Sequence, residues 1–232
     1  GAEKPQCVRL LSWLSGKPLL QQMPLSLAAA GDFGRQLARL DLALQDFSHP
    51  ASDYPLLWDV KNASLLRPLL KFLPAELHSP MMALLDHFET SVQPALSLLP
   101  WQVIHNDCNH NNVLFSNEIP DSVSGILDFG DMILAPRIQE LAVACSYQLG
   151  EENPLPVLHQ MILSYQQILP LLPEELMLLP DLLRIRRMLS VVISHWRAQL
   201  FPEQSAYILQ NIPKILASMK LLQQMSEREF HA

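Results

Sequence analysis

The spacing of apolar and polar positions changes character several times along the chain. "VRLLSWL" (8–14) is a short apolar run closed by Ser15-Gly16-Lys17-Pro18, and predicts a strand ending in a turn. Phe33, Leu37, Leu40, Leu44 and Phe47 then recur at +4, +7, +11 and +14, which is one face of a helix, stopped by Ser48-His49-Pro50. "ASDYPLLWDVKN" (51–62) reads as a loop with aromatic anchors. Met81, Leu85, Phe88 and Val92 mark a second amphipathic helix that Pro94 is expected to kink or end.

Between 101 and 128 the helical period gives way to short runs of Val, Ile, Leu and Phe. "WQVIHN", "NVLFS" and "VSGILDFG" predict three small strands, the last two a hairpin around "NEIPDS". From Pro136, suited to a first helical turn, the pattern is helical again. Ile138, Leu141, Ala142, Cys145 and Leu149 form one stripe. Prolines at 154–156, 170–173, 180, 202 and 213 divide the rest of the chain into three or four helices. The expected class is α+β: mainly α with a small β-element in the middle.

Composition narrows the picture. At 232 residues, 49% hydrophobic and 17% charged, the chain can bury a sizeable core. No run of ~18 uncharged apolar residues predicts a membrane span. With 16 basic against 23 acidic residues the net charge is -7, which argues against a nucleic-acid partner and mildly suits a cationic substrate. Cys7, Cys108 and Cys145 lack the spacing of a disulfide framework, so a reducing, cytoplasmic setting is expected. The seven glycines form no G-x-G pattern.

The densest chemistry lies in residues 105 to 112, which hold two His, one Asp, one Cys and four Asn. His105, Cys108 and His110 offer zinc donors, but Cys7 and Cys145 sit on apolar segments and supply no fourth ligand at motif spacing. A polar turn between strands accounts for the Asn and Asp by their turn hydrogen bonds. A downstream element, "GILDFGD" (125–131), changes the balance. The two together read His105-x-Asp107-x-x-x-x-Asn112, a strand, a turn, and then Asp128-Phe129-Gly130 at the end of a second strand. That is the spacing of a kinase catalytic loop and its metal-binding triplet. Phosphoryl transfer needs one carboxylate near the acceptor hydroxyl and oxygen donors for the Mg²⁺ ions that neutralise phosphate charge. Asp107 suits the first role, Asn112 and Asp128 the second.

"VIHNDCNHNNVLF" (103–115) followed by "SGILDFGDM" (124–132) resembles the aminoglycoside phosphotransferase and choline kinase-like superfamily. The loop of that superfamily usually reads H-G-D-x-H-x-x-N; here Asn106 replaces the Gly and Asn109 the second His, with His110 one place later. His110-Asn111-Asn112, "LLWDVKNASLLRPLL" (56–70) and "SVVISHWRAQLFPEQSAYIL" (190–209) resemble the hydroxylysine kinase-like branch. The likeness runs from about Val8 to Leu222. It implies the C-terminal lobe of a protein-kinase-like fold, with Asp107 catalytic, and with Asn112 and Asp128 holding Mg²⁺. It also implies supporting roles for His105, Asp131 and Glu140, His105 bracing the loop and Glu140 anchoring the following helix to it. "LSWLSG" (11–16) resembles the hinge, so that Ser12, Trp13 and Leu14 would meet the nucleotide base of ATP or GTP.

By the same resemblance residues 1–16 are expected to be hinge strand and linker, and 17–232 the helical lobe with its catalytic loop at 103–131. The N-terminal nucleotide-binding lobe, with its phosphate-gripping lysine, is expected to be absent from this chain, and the resemblance allows for further domains fused to the parent protein. The implied acceptor is a small hydroxylated amine or amino acid, and the isolated lobe is expected to be inactive. Two other readings stay open: a non-catalytic scaffold within a larger protein, and a metal-dependent hydrolase using His105 and His110. Elsewhere, Trp58 and Asp59 either border the substrate cleft or serve as an aromatic anchor beside a helix cap. The run "RIRR" (184–187) reads as a solvated face, with a phosphate or carboxylate contact as the alternative. Of His195, Trp196 and Arg197, three consecutive helical positions, Trp196 is expected in the core and Arg197 in solvent.

Overall fold

The computed structural model describes residues 8 and 10 to 224, so that Cys7 lies outside the described residues. In chain order it contains β1 (Lys17–Pro18), α1 (Leu27–Leu44), a stretch of 3₁₀ turns over Val60–Phe72, α2 (Ala75–His87) and α3 (Gln93–Leu96). Then come β2 (Trp101–Ile104), β3 (Val113–Phe115), β4 (Val123–Ile126) and β5 (Ile133–Pro136). The remainder is α4 (Ile138–Gln148), α5 (Leu155–Gln166), α6 (Pro173–Leu200), α7 (Ser205–Leu209) and α8 (Ile212–Gln224). Among the described residues no helix is long and apolar enough to cross a membrane.

The helices enclose one large core. α1 begins where the Ser26 hydroxyl accepts from the Ala29 N–H at 3.0 Å, satisfying a donor that the first turn leaves free. Its buried face is Ala30, Phe33, Gly34, Leu37, Ala38 and Asp41. Leu44 and Phe47 were expected on that face but leave it, because the helix stops at Leu44 and Phe47 is exposed. Gly34 lets α5 cross closely: a Cβ there would run into the Met161 carbonyl. α4 is buried nearly all round, so the stripe read from its sequence is only part of what it buries.

Three prolines are accommodated in different ways. Pro136 ends β5, and α4 starts at Ile138. Pro94 does not end its helix but distorts it: α2 passes into α3 through a π turn at Phe88–Val92 in which the Gln93 N–H reaches back five residues to Phe88 O. The wider turn makes room for a ring that otherwise crowds the carbonyl four residues earlier. Pro180 lies inside an unbroken α6. The helix buries Leu179, Leu182, Leu183, Ile185, Leu189 and Val192 around it, and this packing outweighs the ~3 kcal/mol a mid-helix proline costs.

The strands form two small antiparallel sheets, β1-β3-β4 and β2-β5. The expected β3–β4 hairpin is present, with Val113 opposite Ile126. β5, which had no signal of its own, pairs Ile133 with Ile104 and Pro136 with Trp101. Among the described residues the strand expected over 8–14 does not form. Residues 10–15 are irregular and largely exposed, Trp13 at 90%. A strand needs a neighbour that pairs with its backbone groups, and among the described residues no strand pairs with this segment, although Leu14 lies against Gly125. Ser15 O accepts from Ser124 Oγ at 2.7 Å, and strand pairing begins at Lys17, opposite Phe115.

Candidate active site

Two connections cross between the two sheets, side by side. Residues 105–112 lead from β2 to β3, and residues 127–132 lead back from β4 to β5. They are stitched together where the Leu127 N–H donates to Asn112 O at 2.7 Å and His105 Nε2 donates to Leu127 O at 2.8 Å. His105 Nδ1 accepts from the Asp107 N–H at 3.2 Å, so both ring nitrogens are occupied and the proton sits on Nε2. The ring is buried, with Phe129 edge-on at 4.8 Å.

Asn106 takes a left-handed backbone, φ +66°. Glycine adopts that conformation freely and asparagine best among the rest, which is why an Asn can stand where the related loops carry Gly. The start of α4 enforces it. Glu140 Oε2 accepts from the Asn106 N–H at 2.9 Å, and Gln139 Nε2 donates to Asn106 Oδ1 at 3.0 Å. Gln139 also donates to Asp59 Oδ1 at 2.9 Å. Burial raises the pKa of Glu140, opposed by His105 and the Asn106 N–H. Behind it Asp41, raised well above the usual carboxylate value by burial and then by Glu140, accepts from the Tyr165 hydroxyl at 2.5 Å. The floor of the loop is therefore a buried, acidic hydrogen-bond network.

Asp107 stands on that floor. Its Oδ2 accepts from Asn109 Nδ2 and Asn112 Nδ2, both at 2.8 Å, and Arg186 Nη2 lies 3.9 Å from Oδ1. Burial raises its pKa; the Asn109 amide and the Arg186 guanidinium oppose the rise, and the charge of Asp131 adds to it. The Asn112 amide nitrogen also donates to Asp107 O at 2.9 Å. Among the described residues no hydrogen bond uses Asn112 Oδ1, so that oxygen is free to accept. Asp128, also left-handed at φ +60°, heads the exposed turn Phe129–Asp131, and its Oδ1 takes the Gly130 N–H at 3.3 Å. The Tyr54 hydroxyl reaches Gly130 O at 3.4 Å.

Arg186 and Arg187 correct the reading of "RIRR" as a solvated face, since both are buried. Arg186 donates to Trp58 O at 2.6 Å and to the Tyr147 hydroxyl at 3.1 Å, and stacks over the Trp58 ring at 5.3 Å. The signal was present in the sequence: Arg186 occupies the middle of the row Leu182, Arg186, Leu189, Ile193, the apolar face of α6. Trp58 serves as an anchor for that arginine. Asp59 caps the 3₁₀ stretch, accepting from the Lys61 N–H at 3.1 Å and pairing with Lys61 Nζ. Trp196 packs on the core and Arg197 is exposed.

The donor atoms that come together are those of His105, Cys108 and Glu140, within 4.8 Å of one another, and His110 is not among them. The His105 nitrogens are spent, burial raises the Cys108 thiol pKa well above its usual value, and Glu140 holds Asn106. Neither the zinc cluster nor a hydrolase metal shared by His105 and His110 has the donors it needs. His110 instead meets Tyr147 edge-on at 5.4 Å, on the wall of a cavity of about 440 Å³ that Asn109 and Arg187 also line. Ser12, Trp13 and Leu14 lie in the irregular segment before β1, away from Asp107 in sequence and without secondary structure.

Among curated proteins, hydroxylysine kinase of Mus musculus is 30% identical over 218 residues, 89% of this chain and 58% of its own length. The chain thus spans little more than half of that relative. Among solved structures, a microcompartment-associated aminopropanol kinase superposes with a TM-score of 0.63 at 17% identity, covering 89% of this chain and 64% of that one. An amicoumacin kinase solved with AMP-PNP and Ca²⁺ gives 0.61 at 14%, covering 88% and 63%. Both likenesses support the fold, the mainly helical lobe of a protein-kinase-like architecture. Residues 1–178 match the phosphotransferase enzyme family, and with that match over most of its length the chain belongs to this family.

Proposed function

We propose that the protein containing this chain transfers the γ-phosphate of ATP or GTP to a hydroxyl of a small amino alcohol or hydroxy amino acid. The observation that carries the proposal is the fixed Asp107 carboxylate, held by Asn109 and Asn112 at 2.8 Å and facing Arg186, beside the oxygen-bearing Asp128 turn. Asp107 orients the acceptor hydroxyl and takes its proton as that oxygen bonds to the γ-phosphorus and the β–γ bridge breaks. The products are a phosphate ester and a nucleoside diphosphate. Arg186 keeps the carboxylate aligned through its fixed guanidinium.

The donor set fits Mg²⁺. Asn112 Oδ1 and the Asp128 carboxylate are hard oxygens, one uncommitted and the other on an open turn. Bound Mg²⁺ would offset the negative charge of the nucleotide phosphates. Asp131 supports that turn, His105 braces it from beneath, and Glu140 holds the loop to α4. Ser12, Trp13 and Leu14 would meet the nucleotide base, with the phosphate-gripping lobe supplied by sequence outside this chain; this chain alone would then be inactive. The cytoplasm, which supplies the nucleotide, is the proposed compartment.

The test is nucleotide consumption by the full-length gene product across a panel of hydroxylated amines and amino acids, beside Asp107→Asn. Mg²⁺-dependent turnover that needs an acceptor, and falls roughly 10²- to 10⁴-fold in the variant, is the expected result. Neither turnover nor nucleotide binding by the wild type would leave the motif as a non-catalytic scaffold.

A further inference from the structure

Consecutive arginines on α6 differ in one respect. Arg186 has partners for its guanidinium on Trp58 and Tyr147. Arg187 is 7% exposed, and among the described residues no hydrogen bond or ion pair holds its side chain; its Nε is enclosed without a partner. Burial lowers its pKa to about 10, which leaves it charged at neutral pH. A buried charge persists only where something compensates it. Arg187 lines the cavity of about 440 Å³ together with Asn109, His110, Tyr147, Glu151 and Lys214. Its size suits a small metabolite. Asn109, on that wall, is the residue whose amide holds Asp107 Oδ2, so the cavity adjoins the proposed catalytic carboxylate. His110 Nε2 is a second enclosed polar atom without a partner there.

We propose that Arg187 binds the carboxylate of the acceptor, so that this site takes hydroxy amino acids in preference to amino alcohols. A planar guanidinium matches a carboxylate with two parallel hydrogen bonds. Lys214 adds positive charge from α8, and Glu151 supplies the one carboxylate on the cavity wall for the substrate's ammonium. The assignment rests on the phosphotransfer reading and narrows its acceptor class.

Matched pairs that differ only in the carboxylate test it: homoserine against 3-amino-1-propanol, and 5-hydroxylysine against 1,5-diaminopentan-2-ol. Calorimetric binding and kcat/KM are measured on the full-length protein, wild type, Arg187→Met and Arg187→Lys. The wild type is expected to favour the amino acid of at least one pair by roughly 10- to 100-fold. Arg187→Met removes the preference without lowering Tm, since it takes away an unpaired buried charge, and Arg187→Lys keeps part of it. Equal binding within both pairs, no binding of any of the four compounds, or a preference that survives Arg187→Met would overturn the assignment. So would inorganic phosphate binding at Arg187 while the amino acids do not. Carboxylate-dependent binding without turnover would sink the phosphotransfer reading alone; turnover indifferent to Arg187→Met would sink the carboxylate assignment alone.

Discussion

The loop at 105–112 and the turn at 127–131 cross between the same two sheets, yet they are held in opposite ways. The loop has a floor: His105, Asn106 and Asn112 are buried, and α4 reaches up to it through Gln139 and Glu140. The turn has almost none. It is pinned at its root, where Leu127 bonds Asn112 and His105; beyond that Asp128, Phe129 and Gly130 are exposed, with Phe129 edge-on to His105, a 3.3 Å bond from Gly130 N–H to Asp128 and a 3.4 Å bond from Tyr54. Both contain a left-handed residue, but Asn106 is locked by neighbours while Asp128 is held by its own cap. A group that must orient an acceptor gains from being fixed beforehand. A group that receives a cation needs open oxygens, and a thinly held turn provides them.

The sharpest way to break this contrast is to change each side and read activity and stability together. Asp128→Asn keeps the left-handed backbone and the Gly130 bond while removing the charge. Turnover of the full-length protein is expected to fall roughly 10²-fold, with partial recovery at raised Mg²⁺, and the unfolding midpoint should hardly move. A large loss of stability would mean the turn is a structural element after all.

On the loop side the effect moves to stability. Glu140→Ala strands the buried Asn106 N–H, which costs about 1–3 kcal/mol. A lowered urea midpoint at unchanged m-value is the expected signature. Asp131→Ala, the matching change on the turn, should leave that midpoint near wild type. If Glu140→Ala also leaves it unchanged, the buried floor does not hold the loop.

Sequence alone carried the pair of motifs, the β3–β4 hairpin and the mainly helical class, because each is written in local spacing. It did not carry β5, since Ile133–Pro136 becomes a strand only when Ile104 and Trp101 lie opposite. It misjudged 8–14 for the mirror reason: an apolar run is a strand only beside a partner. Pro180 reads as a break because its local cost is visible in the sequence and the compensating burial is not. The arginines of α6 were lost in a run of charge. Arg186 sits on the helix's apolar face, and what it touches, Trp58, lies 128 residues away in sequence.

The finest probe of the same contrast is Asn106 itself. Asn106→Gly loses the Gln139 bond but keeps the left-handed backbone without strain. Asn106→Ala loses the same bond and adds the Cβ clash of that conformation, about 1–2 kcal/mol. Because both variants lack the side-chain bond, their difference isolates the backbone term. Asn106→Ala is therefore expected to be the less stable by about 1 kcal/mol in urea unfolding. Its Asp107, displaced from the Asn109 and Asn112 amides, should turn over more slowly than in Asn106→Gly. Equal stability in the two variants would mean that the loop relaxes out of φ +66° as readily as the Asp128 turn, and the fixed floor would no longer distinguish them.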